Sequence, residues 1–269
     1  MTPDPAISLS SDECVGLMNR YRGRSPSEAL FYGTVEDFCD SADHLPFLSS
    51  LQGDLKDLQR PAALKLIVGL LPPGSSLLEI GAGEPYVAHA LARMGYKVIV
   101  VDPYDGSGRG PTEFEYYVRK YPDITIIRDL FSKELTGIAA NSLDCIYSIS
   151  VLEHVLQPAL DNVFAGIRQF LKPDGHSLHL VDHVLAGEGA DFHLRHLADI
   201  AASQSELAGE RAANSVSQLV TALNNLAVDL DTYYLSAEGH NKWRGSTPYD
   251  SFRFRKVVSV HSWNQYVRR

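Results

Sequence analysis

Two glycines follow an acidic residue at the end of a short apolar run, in Ser76-Leu77-Leu78-Glu79-Ile80-Gly81-Ala82-Gly83-Glu84-Pro85. Glycines at 81 and 83 let a ligand approach the backbone with no Cβ in the way. The third glycine of a dinucleotide fingerprint is missing, because Tyr86 stands where Gly-x-Gly-x-x-Gly needs it. Glu84 and Pro85 also remove much of the N–H cradle that a pyrophosphate would use. A cofactor without phosphate is therefore favoured. On its own the turn also fits a plain tight strand-to-helix turn.

Three further groups stand where they could hold such a ligand. Asp102 ends the run Val98-Ile99-Val100-Val101, one helix-length beyond Gly83, and a carboxylate there can accept both hydroxyls of a ribose diol. Asp129 follows Ile124-Thr125-Ile126-Ile127 and could accept from an exocyclic amine. The Leu130 N–H could donate to a ring nitrogen of an adenine; both also fit a plain turn. Two histidines, His154 and His183, are read as strand-end residues facing the same crevice, and a histidine near neutrality suits a general base. His183 has Asp182 beside it as a possible orienter, although a loop histidine bonded to backbone fits as well, and His154 could simply brace its turn. Arg60 lies just ahead of the helix that abuts the first strand, where it either reaches the cofactor carboxylate or sits on a solvated helix face.

The elements that must position these groups alternate strand and helix. Strands are predicted at Ser76–Ile80, Val98–Asp102, Ile124–Ile127, Leu143–Ile149 and His176–Val181. Between them fall a helix carrying Val87, Ala90, Leu91 and Met94 and stopped at Gly95, and a helix opened by a Thr112/Glu115 capping box. The next carries Val163, Phe164, Ile167, Phe170 and Leu171. Such spacing implies right-handed crossovers and a parallel sheet. In open sheets of this kind, ligands bind beyond the carboxyl ends of the strands. Residues 1–73 read as a helical N-terminal extension, with Pro61 in the first turn of its last helix and Pro72-Pro73-Gly74 ending it. Residues 187–230 read as a helical insertion capping the sheet edge. The core is then 74–186 with 231–269, the tail returning to strand pattern from Ser251 to Val260.

Taken as a series, these motifs resemble class I S-adenosylmethionine-dependent methyltransferases. The residues that carry the likeness are Leu78-Glu79-Ile80-Gly81-Ala82-Gly83, Val101-Asp102, Leu143 through Val155 with its Leu152-Glu153-His154, and Leu171-Lys172-Pro173-Asp174-Gly175. It covers 76–182 and is closest to the branch with Leu-Glu-His after the fourth strand. The resemblance implies an α/β, doubly wound, mostly parallel seven-stranded Rossmann-like sheet with the last strand antiparallel. It implies S-adenosyl-L-methionine as cofactor, with Glu79, Gly81, Ala82 and Gly83 bordering its methionine part. Asp102, with Pro103 next to it, would hold the ribose, Asp129 and Leu130 the adenine, and Ser150 would lie close to the sulfonium. Some relatives bind a divalent metal through Glu-x-x-Glu-His; here Ser150 replaces the first Glu, and no metal is assigned although His183, His193 and His196 are within sequence reach.

Composition bounds the acceptor. A formal charge of −9, from 33 acidic and 24 basic residues, argues against a nucleic-acid partner. No apolar run is long enough for a membrane span and no secretory signal is visible, so no membrane partner is expected. Three scattered cysteines fit a reducing, cytoplasmic compartment. The expectation is methyl transfer to oxygen or nitrogen of a small molecule, with a homodimer through the helical insertion as one use of its apolar stripe. The alternatives are a nicotinamide-dependent oxidoreductase and a non-catalytic methyltransferase-like binder. The loops Asp105–Pro111 and Asn241–Asp250 mix polar, basic and aromatic residues that would line a pocket or simply pack.

Overall fold

β-branched and apolar runs too short for helices pair into one sheet in this computed structural model. It describes residues 9–26, 28–49, 54–107, 110–209, 230–235 and 254–267, together with Thr221 and Asn225. The parallel strands are β2 (Ser76–Ile80), β3 (Lys97–Val101), β4 (Thr125–Ile127), β5 (Leu143–Ile149) and β6 (Leu171–Gly187). With β1 (Leu30–Tyr32) and β7 (Phe254–Gln265) they form a seven-stranded sheet in the order β1-β7-β6-β5-β2-β3-β4, β7 running antiparallel to both its neighbours. This is the doubly wound, mostly parallel architecture expected, and the chain reverses direction across the sheet between β2 and β5. A ligand crevice therefore opens at the carboxyl ends of those two strands.

Each face is closed by helices that offer it an apolar stripe. Leu77, Val98, Val100, Tyr147, Leu178 and Leu180 pack beneath α1 (Ser11–Tyr21), α3 (Lys56–Leu70), α4 (Tyr86–Arg93) and α5 (Phe114–Lys120). Leu78, Ile146, Val181, Val258 and Val260 pack on the other side beneath α6 (Ala159–Phe170) and α7 (Ala190–Leu207). In α6 the buried positions Leu160, Val163, Phe164, Ile167 and Phe170 recur at helical spacing. Burying each large apolar side chain contributes roughly 1.5–3 kcal/mol.

Several expectations are corrected. Among the described residues of the N-terminal segment the helices are interrupted by β1, which pairs with β7 and takes the sheet's outer edge. Its three half-buried residues are too short to display an alternating pattern. Pro61 lies inside α3, not in its first turn, because the helix begins at Lys56 and tolerates one missing ladder N–H. No Thr112/Glu115 capping box forms; α5 starts at Phe114, and the Thr112 N–H donates instead to Glu113. The fifth parallel strand runs well beyond Val181, since β7 continues to pair with it as far as Gly187. The described part of the insertion, α7, lies on the face of β6 and β7 beside α6, with Leu197, Ile200 and Leu207 buried. Residues 210–220 and the Asn241–Asp250 loop lie outside the described residues. Among the described residues no helix is long and apolar enough to cross a membrane.

Candidate functional site

The turn between β2 and α4 is built from backbone that side chains resist. Gly81 and Gly83 both have positive φ, +65° and +58°. A Cβ on Gly81 would stand 2.8 Å from Val151 Cγ2, so this glycine is required by both conformation and space. The turn is tied to the end of β3 by Asp102, whose Oδ2 accepts the Gly83 N–H at 2.9 Å and whose Oδ1 accepts the Tyr104 N–H at 2.8 Å. Tyr104 completes the loop by donating its hydroxyl to the Gly83 carbonyl at 2.9 Å. A carboxylate offers about four acceptor positions. Two remain on Asp102 after these bonds, enough for a diol.

Glu79 is buried on the face beneath α3 and α4, where Tyr147 donates to its Oε2 at 2.9 Å. Burial pushes its carboxyl up to about 7, against the opposing pull of Tyr147, the Ala88 backbone and Arg60. The Arg60 guanidinium sits 4.9 Å above the Tyr86 ring, so this cation stands beside the glycine turn and close enough to act on Glu79. Tyr86, the residue in place of the third glycine, donates to Glu84, as do Lys120 and Tyr121. Burial opposes the Glu84 charge, but those three donors outweigh it and hold the carboxyl below its usual range. A pyrophosphate at this turn would meet that carboxylate.

A second group of side chains meets at the carboxyl ends of β5 and β6. Ser150 has positive φ, +52°, directly after β5. Its Oγ lies 2.7 Å from Gln59 Oε1 and 3.2 Å from Asp182 Oδ1; its one proton goes to the nearer oxygen. Gln59, fully buried on α3, donates its amide to the same Asp182 oxygen at 2.9 Å. Glu153, in the 3-10 turn Leu152–His154, accepts the Asp182 N–H at 3.2 Å through Oε1. Burial, reinforced by the neighbouring Asp182 charge, raises its carboxyl well above the ordinary range. Sequence reasoning did not single out Gln59 or Glu153 for this cluster. The helical phase of α3 would have offered Gln59, had its start at Lys56 been recognised.

The remaining sequence candidates fall elsewhere. Ala82 and Pro103 are half-buried beside the glycine turn and the Asp102 carboxylate, and Pro103 accepts from Arg128 through its carbonyl. Asp129 is exposed, and its own carboxylate takes the Leu130 N–H at 2.8 Å. The Leu130 side chain is 66% exposed. His183 is not a strand-end residue: it lies within β6 opposite Val258, buried on the α7 face. Burial, with the His193 charge, pushes it down to about 4, and because neighbouring strand residues point to opposite faces Asp182 cannot orient it. His154 is exposed on the 3-10 turn, and His196 bonds the Leu152 carbonyl at 2.8 Å. Among the described residues no three His, Cys, Asp or Glu side chains are arranged to hold a metal. Arg109, the basic residue of the Asp105–Pro111 loop, lies outside the described residues.

A family model described as a methyltransferase domain matches residues 51–268. No curated protein matches by sequence. Among solved structures, the chain is similar to phosphoethanolamine N-methyltransferase 2 of Haemonchus contortus in complex with S-adenosyl-L-methionine, at 18% identity and TM-score 0.47. The match covers 78% of this chain and 52% of that one, so this chain spans about half the length of the nematode enzyme. It is also similar to the 1,6-didemethyltoxoflavin-N1-methyltransferase of Burkholderia thailandensis, at 15% identity and TM-score 0.44 over 97% of this chain and 92% of that one. A 16S rRNA (adenine(1408)-N(1))-methyltransferase of Catenulisporales acidiphilia aligns at 15% identity and TM-score 0.42 over 73% and 87%.

Proposed function

The chain belongs to the methyltransferase-domain family, and on that premise we propose that it transfers a methyl group from S-adenosyl-L-methionine to oxygen or nitrogen of a small molecule. The observation that carries this reading is the Asp102 carboxylate, locked by the Gly83 and Tyr104 N–H groups with acceptor capacity to spare. The glycine turn gives the methionine part a path along the backbone, which a Cβ at 81 would close. Arg60, next to Glu79, supplies a cation for the methionine carboxylate. Exposed Leu130 gives the adenine ring an apolar surface, while Asp129 has acceptor positions left for the exocyclic amine. Ser150 and Gln59 form the wall nearest the sulfonium.

When bound, this cofactor supplies an electrophilic methyl on a cationic sulfur. What the protein's residues must then do is align the acceptor in line and relieve it of a proton. His183 is a poor base, being buried on the opposite face, so the carboxylates of Glu153 and Asp182 take that role here. A net charge of −9 supports a small acceptor over nucleic acid, and the exposed Cys39 thiol suits a cytoplasmic setting.

Isothermal titration with S-adenosylmethionine and S-adenosylhomocysteine tests the reading. Both should bind, and Asp102→Ala should weaken them by about tenfold or more through loss of charge-assisted hydrogen bonds. No binding, or an unchanged affinity in the variant, would overturn it. Reduced nicotinamide, titrated by fluorescence, should show no saturable binding.

A further inference from the structure

Beyond the Gln59–Ser150–Asp182 contact, the α3 end of the crevice concentrates negative charge out of water. Asp54 is half-buried just ahead of α3, and burial, with a further contribution from the Asp182 charge, raises its carboxyl. Asp57, the second residue of α3, is 1% exposed. Its charge and that of Asp54 both act on the Tyr233 hydroxyl, so these groups share one region. Against these carboxylates stands Lys56, whose charge acts on both Asp54 and Glu153.

A solvated acidic patch would need no further account. Here a second observation points to a ligand. Glu153 is 6% exposed, and its Oε2 finds no hydrogen-bond partner among the described residues, while its Oε1 is already taken by the Asp182 N–H. A buried carboxylate oxygen with no donor is costly, by an amount comparable to a lost charged hydrogen bond. An additional hydroxyl or apolar group would not offset the charge of Asp182 beside it. A cation carrying N–H donors would serve both oxygens at once.

We infer that the paired Glu153 and Asp182 carboxyl groups bind the acceptor as a primary or secondary ammonium ion, making the reaction an N-methylation of an amine. This rests on the methyltransferase reading above. The ammonium first gives one proton to one of these carboxylates, which restores the nitrogen lone pair. That pair forms the new N–C bond as the S–C bond breaks, with the bonding pair of the latter staying on sulfur. The products are the methylated ammonium and a neutral thioether, and the proton leaves the carboxylate to water when the product departs. Deprotonation is required because a protonated amine has no pair with which to attack.

The experiment uses full-length protein saturated with S-adenosylhomocysteine, whose sulfur carries no charge, with side-chain carboxyl carbons labelled for NMR. The probes are ethylammonium, ethanol and acetate, titrated separately at pH 7. Ethylammonium should shift the Glu153 and Asp182 carboxyl signals saturably, and the other two should not. Asp182→Asn should weaken ethylammonium by about tenfold or more, and S-adenosylhomocysteine by no more than about twofold. Glu153→Gln assigns the signal, keeps the side chain's shape and should also weaken ethylammonium. Bound S-adenosylhomocysteine with no ethylammonium shift, or with equal shifts from all three probes, overturns the amine assignment alone. Equal loss of both ligands in Asp182→Asn assigns the carboxylates to the cofactor and overturns it too. An ethylammonium shift in a protein that does not bind S-adenosylhomocysteine overturns the methyltransferase reading, and with it the role of the two carboxyl groups as an acceptor site.

Discussion

The β2–β3 side of the crevice and the α3–β6 side are made in different ways. On the first, backbone does most of the work: two positive-φ glycines, N–H groups aimed at Asp102, and partners about twenty positions apart. On the second, buried side chains bond one another across long stretches of chain, as Gln59 does with Ser150 and Asp182. The first side suits an invariant ligand whose shape the main chain can match. The second is set by a few replaceable side chains, so its choice of ligand can change without disturbing the first. Donor and acceptor specificity are then separable by mutation.

The sharpest cut is Gly81→Val. Strain at positive φ and the clash with Val151 should together destabilise the fold by about 2–5 kcal/mol and abolish cofactor binding, as read by urea unfolding and titration calorimetry. Glu79 comes next, because its carboxyl titrates near 7 in the fold against 4.5 unfolded. The native state therefore holds the proton to higher pH. The stability this group contributes is complete below about pH 4.5 and is lost as pH rises through about 7, by roughly 3 kcal/mol at most. Urea midpoints at pH 5 and pH 8 should fall more in the wild type than in Glu79→Gln; equal slopes would remove Glu79 as the cause.

Gln59→Leu should cost about 1–3 kcal/mol by leaving Asp182 and Ser150 short of partners. It should lower kcat/KM for the acceptor by more than it weakens S-adenosylhomocysteine. If it weakened the cofactor as much as the acceptor, the two sides would have to be treated as one site. The smallest effect is expected for Lys120→Met, which removes one of three donors to Glu84 at the outer rim. A change within about 1 kcal/mol in stability is the outcome for such a partly exposed pair, with cofactor affinity nearly unchanged.

This division also explains what could be read from the chain before its structure. The glycine turn, Asp102 and the parallel strands are local: a few consecutive residues declare each, and all were legible. The Glu153–Asp182 contact was not, because Asp182 seemed to end a strand that in fact continues to Gly187 under the influence of β7. That same misreading made His183 look like a base facing the crevice. Pro61 obscured the true start of α3 and with it the inward phase of Gln59. Leu30-Phe31-Tyr32 gave no strand signal because its pairing partner, not its own pattern, makes it one.

The position of β1 has a consequence for how the molecule is assembled. Its hydrogen-bonding partner, β7, lies near the other end of the sequence, and β7 also completes β6. During synthesis the β2-to-β5 portion can pair and pack while β1 still waits for almost the whole chain to follow. Contacts of such sequence separation are slow to form because the loop they close must lose its freedom first. The edge of the sheet is thus an early-made segment locked in by a late-made one. A nascent chain would acquire its glycine turn before it acquired its outer border.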